Sequence, residues 1–210
     1  MPRGVIMKRA VRPKVPEEEQ RVLEELHSAM RPDGSAESDA TALAKARAAA
    51  RRWRQSSEIA AICGRIAIWY WSGLTTSKIQ ACLEKGENPV SPSALAARRV
   101  PWAAIERQLK RALSLDTRCG PAWEDLAVVY DICAKYPLAV AAARKAVRYS
   151  RTAQDRDDST AILLSVLAES GKRAEALRVL RRSRLRHTRS KWARSKLADI
   201  RADLQAPRCR

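Results

Sequence analysis

From residue 17 onward the apolar positions of this chain recur every three or four residues, the spacing that lays one stripe along an α-helix. Pro16 followed by Glu17, Glu18 and Glu19 reads as a helix start, with acids at the positive end of the helix dipole. Val22, Leu23, Leu26 and Met30 form its stripe, and Arg31-Pro-Asp-Gly34 ends it. After a polar linker, Ser35 to Ser38, either Ser38 or Asp39 caps an Ala-rich helix that runs through Arg54. Ser56 and Ser57 predict a break. Ile59 to Trp71 then predicts a helix apolar almost all round, as in segments buried by their neighbours. Ser72 and Gly73 are expected to end it, with Thr75 or Thr76 capping a short helix to about Lys85 that Gly86 stops. Asn88 to Pro92 reads as a loop, Pro92 as the opening of a short helix through Arg99, and Pro101 as the opening of a firm one from Trp102 to Leu115. No alternating β-branched run lies between paired turn signals, so the predicted fold is all-α.

Beyond Trp102 the pattern repeats. Trp123, Leu126, Ala127, Tyr130, Ala134, Tyr136, Ala139, Ala143 and Ala146 describe a helix bearing Trp, Leu, a small residue and Tyr, then one bearing small residues. Leu163, Leu164, Leu167, Gly171, Ala176 and Leu180 take the corresponding places, with Thr160 at the Trp position and Ser183 at the last small one. Trp123 and Thr160 lie 37 residues apart. A standard unit is roughly 34 long, and the polar insert Thr152 to Ser159 absorbs the excess. The helix with Ile105, Leu109 and Ala112 looks like the second half of an earlier unit whose first half falls in the irregular region before Pro92.

Over residues 102–186 this pattern resembles the tetratricopeptide repeat, with one good copy and two degraded ones. The resemblance implies a short right-handed array of antiparallel helical hairpins, in which small residues let backbones approach and aromatics fill the grooves between units. It also implies a role in binding partner peptides or scaffolding complexes. The Asn and Lys positions with which family members clamp a peptide carboxylate are not evident here. A final helix, about Thr188 to Leu204, carries the stripe Ala193, Leu197, Ile200 and Leu204 and reads as a cap. Trp53, Trp69, Tyr70 and Trp71 are expected to pack a core at the other end rather than to stack on bases. The organisation read from the sequence is a basic extended arm (1–16), an N-terminal helical region (17–100), the repeats (101–187), and a basic capping helix and tail (188–210).

Charge changes the picture most. Against 41 Lys and Arg stand 23 Asp and Glu, a net charge of +18 at pH 7. Such a chain repels itself and favours a polyanionic partner. Nucleic acid comes first, because neutralising phosphates releases condensed counterions; an acidic protein surface or anionic lipid would also serve. Arg outnumbers Lys, Ala is abundant, Phe is absent and Asn88 is the single Asn, a composition like that of GC-rich coding. That bias weakens each Arg taken alone but does not explain why acids fail to balance them.

The cations cluster. Arg181, Arg182, Arg184, Arg186, Arg189, Lys191, Arg194 and Lys196 fall in one acid-free stretch, with His187 and Trp192 among them. If that stretch is helical, Arg182, Arg186 and Arg189 share a face, and basic side chains interleaved with a flat aromatic suit phosphate contact with some stacking. Arg47, Arg51, Arg52 and Arg54 form a second cluster, and Arg98, Arg99, Arg107, Lys110 and Arg111 a third; for both, a solvated helix face is the simpler explanation. The arm carries Arg3, Lys8, Arg9, Arg12 and Lys14, no acid and three prolines. It reads as a segment lying along phosphates, with Lys8, Arg9 and Arg12 as contacts, or alternatively as an organelle-targeting segment.

Other chemistry is sparse. Cys63, Cys82, Cys119, Cys133 and Cys209 are scattered, with no Cys-x-x-Cys pair, which points to free thiols in a reducing intracellular compartment and to no metal site. His27 and His187 stand beside no recognisable nucleophile, and there is no glycine-rich phosphate loop. The expectation is therefore no enzyme, no catalytic residue, no cofactor, no small-molecule substrate and no membrane span. The leading expectation is a structural or assembly subunit of a ribonucleoprotein, binding RNA (rRNA in the narrower form) and neighbouring proteins, with an organellar ribosome in the mitochondrial matrix preferred to the cytoplasm. A protein-only adaptor for an acidic partner is the alternative. A DNA-binding module, with Leu74 to Arg99 as two short helices around a turn, is the third.

Overall fold

The computed structural model describes residues 16–30, 36–84 and 100–205, and among them every regular element is helical. Helix α1 (Glu17–Ala29) follows Pro16 and buries Leu23 and Leu26, the centre of its stripe. Helix α2 (Ala36–Arg52) begins ahead of both residues expected to cap it. Helix α3 (Ser57–Glu84) is capped by Ser56, whose Oγ accepts from the Ile59 N–H at 3.1 Å.

Helix α3 runs unbroken through Ser72 and Gly73, where the sequence predicts an end and a fresh start at Thr75 or Thr76. An interior glycine costs only about 1 kcal/mol relative to alanine, and no proline follows to remove a donor, so the i→i−4 ladder carries on. The first of the two short helices proposed for a DNA-binding module is thus the tail of α3. The loop at Asn88 to Pro92 and the helix expected from Pro92 to Arg99 lie outside the described residues, as does the arm.

The remaining helices are α4 (Trp102–Leu115), α5 (Gly120–Ile132), α6 (Tyr136–Tyr149), α7 (Ala153–Glu169), α8 (Arg173–Arg182) and α9 (Lys191–Gln205), with a 3-10 turn at Leu185–His187 before α9. Sequential helices pack on one another: α3 on α4, α5 on α6, α7 on α8. Alternate helices also meet: α3 with α5, α5 with α7 and α7 with α9. This is a row of hairpins, with α1 and α2 against α3 at one end and α9 closing the other against α7. The helix that packs on α4 from the N-terminal side is α3, with residues 85–99 between them in the sequence.

Small residues set the helix spacing. Ala112, Ala127, Ala139, Ala143, Ala146 and Ala176 have no exposed surface, and larger side chains such as Leu109, Leu126, Leu164 and Leu167 fill the space around them. Where α3 crosses α4, a Cβ on Gly64 would fall 2.5 Å from Leu109 Cδ2, so any larger residue would force Leu109 to shift. Trp123 is half-buried, donates from Nε1 to the Thr117 carbonyl at 2.9 Å and carries Lys145 Nζ 4.0 Å over its ring, a cation–π pair that ties α5 to α6. Tyr130 is buried and donates to Glu106 on α4 at 3.2 Å. At the N-terminal end Tyr70 and Trp71 meet edge to face, but Trp69 is 50% exposed, contrary to its expected place in the core.

The two short interhelical turns match in detail. Ala134 (φ 55°) and Gly171 (φ 78°) both take the left-handed conformation. In the first turn the Lys135 N–H donates to the Tyr130 carbonyl at 2.7 Å; in the second the Lys172 N–H donates to the Leu167 carbonyl at 2.8 Å. This is the Schellman ending, which satisfies a helix-terminal carbonyl while reversing the chain.

Candidate nucleic-acid interface

The basic stretch is built from three pieces of backbone rather than one helix. Helix α8 stops at Arg182 because Ser183 turns extended (φ −78°, ψ 154°). Leu185, 1% exposed, then draws the chain back to the core through the 3-10 turn, and Thr188 and Ser190 are buried beyond it. Ser190 caps α9: its Oγ accepts from the Ala193 N–H at 3.1 Å and donates to Asp158 on α7 at 2.5 Å. The final helix accordingly begins at Lys191, not near Thr188. Arg182, Arg186 and Arg189 do not share a helix face, because the helix that would align them is interrupted to bury Leu185.

What replaces that face is a connector pinned at alternate points. Leu185, Thr188 and Ser190 point inward while Arg184, Arg186 and Arg189 are exposed. Arg181 and Arg182 at the end of α8, and Lys191 and Arg194 at the start of α9, extend the same exposed set. Among the described residues none of these seven cations is in an ion pair. His187 is exposed beside them, and Trp192 is 44% exposed. Lys196 is different: it is half-buried and acts on Asp131 at the end of α5, where burial and the neighbouring Glu169 of α7 push the Asp131 carboxyl up to about 7 against that lysine's pull.

The other clusters are engaged only in part, since Arg47, Arg51, Arg54 and Arg107 are exposed and in no ion pair among the described residues. Arg52 pairs with Glu18 of α1 and lies 5.6 Å from the centre of the Trp53 ring. Lys110 pairs with Glu106 at 2.7 Å, and Arg111 donates to the Arg54 carbonyl at 3.0 Å. Arg98, Arg99, Lys8, Arg9 and Arg12 lie outside the described residues.

Sequence reasoning missed a buried ionic chain. Arg65, on α3, donates from Nε to both oxygens of Asp125 on α5 at 2.9 and 3.1 Å, and from Nη2 to Glu124 at 3.3 Å. Ser159 on α7 donates to the other oxygen of Glu124 at 3.2 Å. Two carboxylates thus share one guanidinium. Burial, with Asp125 and Asp158 nearby, pushes Glu124 up to about 7 against the pull of Arg65, and Arg65 holds its proton more tightly than usual because of Asp125. The one sequence signal was an Arg inside the apolar run Ile59 to Trp71, a position a charge occupies only when it finds a partner.

Burial pushes the Cys63 and Cys119 thiols up, away from the thiolate form that reacts. Among the described residues no three potential metal ligands come together, and no helix is long and apolar enough to cross a membrane. No protein-family model matches the chain, and no curated protein is significantly similar to it.

Proposed function

We propose that this chain is a non-enzymatic structural or assembly subunit of a ribonucleoprotein, in which tetratricopeptide-like hairpins pack on neighbouring proteins and the connector between α8 and α9 lies on RNA phosphates. The observation that carries this reading is the set of seven exposed cations, Arg181 to Arg194, left without ion-pair partners among the described residues. The matching hairpin turns and the side-by-side packing of α5/α6 and α7/α8 support the repeat resemblance. Arginine's planar fork, held by a backbone anchored through Leu185 and Ser190, suits repeated phosphate contact. An organellar ribosome is the narrower form of the proposal, and rests on the charge alone.

The test is RNA affinity measured against salt for the wild type and for Arg182→Gln/Arg186→Gln/Arg189→Gln. The expected result is a steep loss of affinity with salt in the wild type and a slope shallower by roughly 2–3 in the variant. Weak binding to every nucleic acid near physiological salt, unchanged in the variant, would replace this reading with an adaptor for an acidic protein.

A further inference from the structure

On a chain of net charge +18, one surface groove runs the other way. It lies between α1, the start of α3 and the end of α4, with a volume of about 960 Å³. Its floor is Leu23 and the 36% exposed Leu115, and its rim carries Glu19, Glu24, Glu58 and Asp116. Among the described residues Arg151 is the one permanent cation lining it, and that side chain already pairs with Glu58 at 2.7 Å. Burial and Arg65 lower the pKa of His27, so this side chain adds no positive charge at neutral pH. Glu19 and Glu24 form no ion pair among the described residues. The groove is therefore a mostly polar trough with an apolar patch at Leu23 and Leu115 and two acids, Glu19 and Glu24, uncompensated among the described residues.

We propose that this groove is the docking site of the chain's own N-terminal arm, residues 1–15. Pro16, where the described chain begins, is itself part of the groove wall, so the arm starts at the site. The arm carries the two chemistries that complement the groove: Val5, Ile6, Met7, Val11 and Val15 for Leu23 and Leu115, Lys8, Arg9, Arg12 and Lys14 for the acids. Tethering supplies it at an effective concentration in the millimolar range, enough for a contact of a few weak ion pairs and a small apolar area to persist. Docked in this way, the arm's cations are neutralised in cis and have to be released before they meet a polyanion.

The experiment uses the full chain without nucleic acid, so its failure and the failure of the RNA reading are separate events. Trypsin cleavage after Lys8, Arg9 and Lys14 is followed by mass spectrometry at low and high salt, with the same bonds in a free peptide of residues 1–16 as the reference. In the wild type at low salt, arm cleavage is expected to be slow relative to the reference. Glu19→Gln/Glu24→Gln is expected to accelerate it about fivefold, the effect of two exposed ion pairs together, towards the wild-type rate at high salt. Equal arm cleavage in both proteins at both salts overturns the proposal and leaves the groove for a basic partner. Protection that grows with protein concentration also overturns it, assigning the arm to the groove of a second copy.

Discussion

Ala134 and Gly171 hold the same place in successive turns, 37 residues apart, each at positive φ and each followed by a lysine N–H bonded back to a buried residue of the preceding helix. Only one of them is a glycine. The Cβ of Ala134 crowds its own backbone there, at a cost of roughly 1–2 kcal/mol. Ala134→Gly is therefore expected to raise stability by about 1 kcal/mol, and Gly171→Ala to lower it by a similar amount. Urea unfolding checks this through opposite shifts of the midpoint at constant slope.

Gly64 tests whether close approach or helix propensity governs α3. Alanine there gains about 1 kcal/mol of propensity. Its Cβ also drives into Leu109 Cδ2 and Cγ, and Leu109 is fully buried, so it has to repack within the core. Overpacking of this kind costs about 1–3 kcal/mol, so Gly64→Ala should be destabilising on balance. Combined with Leu109→Ala, which alone costs about 2–5 kcal/mol, the loss should be smaller than the sum, because the second change opens the space that the first needs.

Glu124 predicts a pH dependence with a definite sign. Its pKa in the fold, about 7, lies above that of the unfolded chain, so the folded state binds the proton more tightly. Stability from this group is fully present at low pH and is lost as pH rises from the unfolded value to about 7, up to about 3 kcal/mol in all. Glu124→Gln, which keeps a side chain able to meet Arg65 and Ser159, should remove that slope and be more stable than the wild type at pH 8. Asp131 beside Glu169 carries a slope of the same sign, so part of the dependence should survive in the variant.

Ser190 separates anchoring from charge. Ser190→Ala deletes the α9 cap and the bond to Asp158, at an expected cost of about 1–2 kcal/mol of stability. Every cation of the connector is retained. RNA affinity should fall about threefold through the added cost of ordering the connector, while its salt slope, which counts phosphates neutralised, stays as in the wild type. A changed slope would mean that Ser190 places individual arginines rather than the backbone they stand on.

The helices were legible wherever a local signal marks a boundary. Trp102–Leu115 agrees with its predicted limits because Pro101 fixes the start and the apolar stripe runs out at Leu115. The two hairpins were legible through the repeated spacing of Leu126, Tyr130 and Ala139 with Leu163, Leu167 and Ala176, but the left-handed turn at Ala134 was not, because alanine carries no signal for it. The sequence misled where competition between tertiary contacts decides the outcome. Ser72 and Gly73 look like an end, yet α3 continues. Arg182, Arg186 and Arg189 are spaced for one helix, yet burying Leu185 and capping α9 with Ser190 breaks it. The pairing of Arg65 with Asp125 spans 60 residues and has no local signature beyond a charge in an apolar run. Where the exposed cations face was likewise beyond periodicity, since it follows from a connector with none.

The ionic chain around Arg65 also limits how long this array can be. Shifted by the 37-residue repeat, Glu124 and Asp125 fall on Ala161 and Ile162, so the second hairpin carries no copy of the acids that receive a guanidinium from its neighbour. Deleting α5 and α6 would set Arg65 against apolar side chains with its charge unanswered. Duplicating them would bury a second acidic pair with no arginine to meet it. Arrays of interchangeable units can grow or shrink one hairpin at a time, but this one is keyed: its hairpins have an order and a number that cannot be edited without stranding a buried charge.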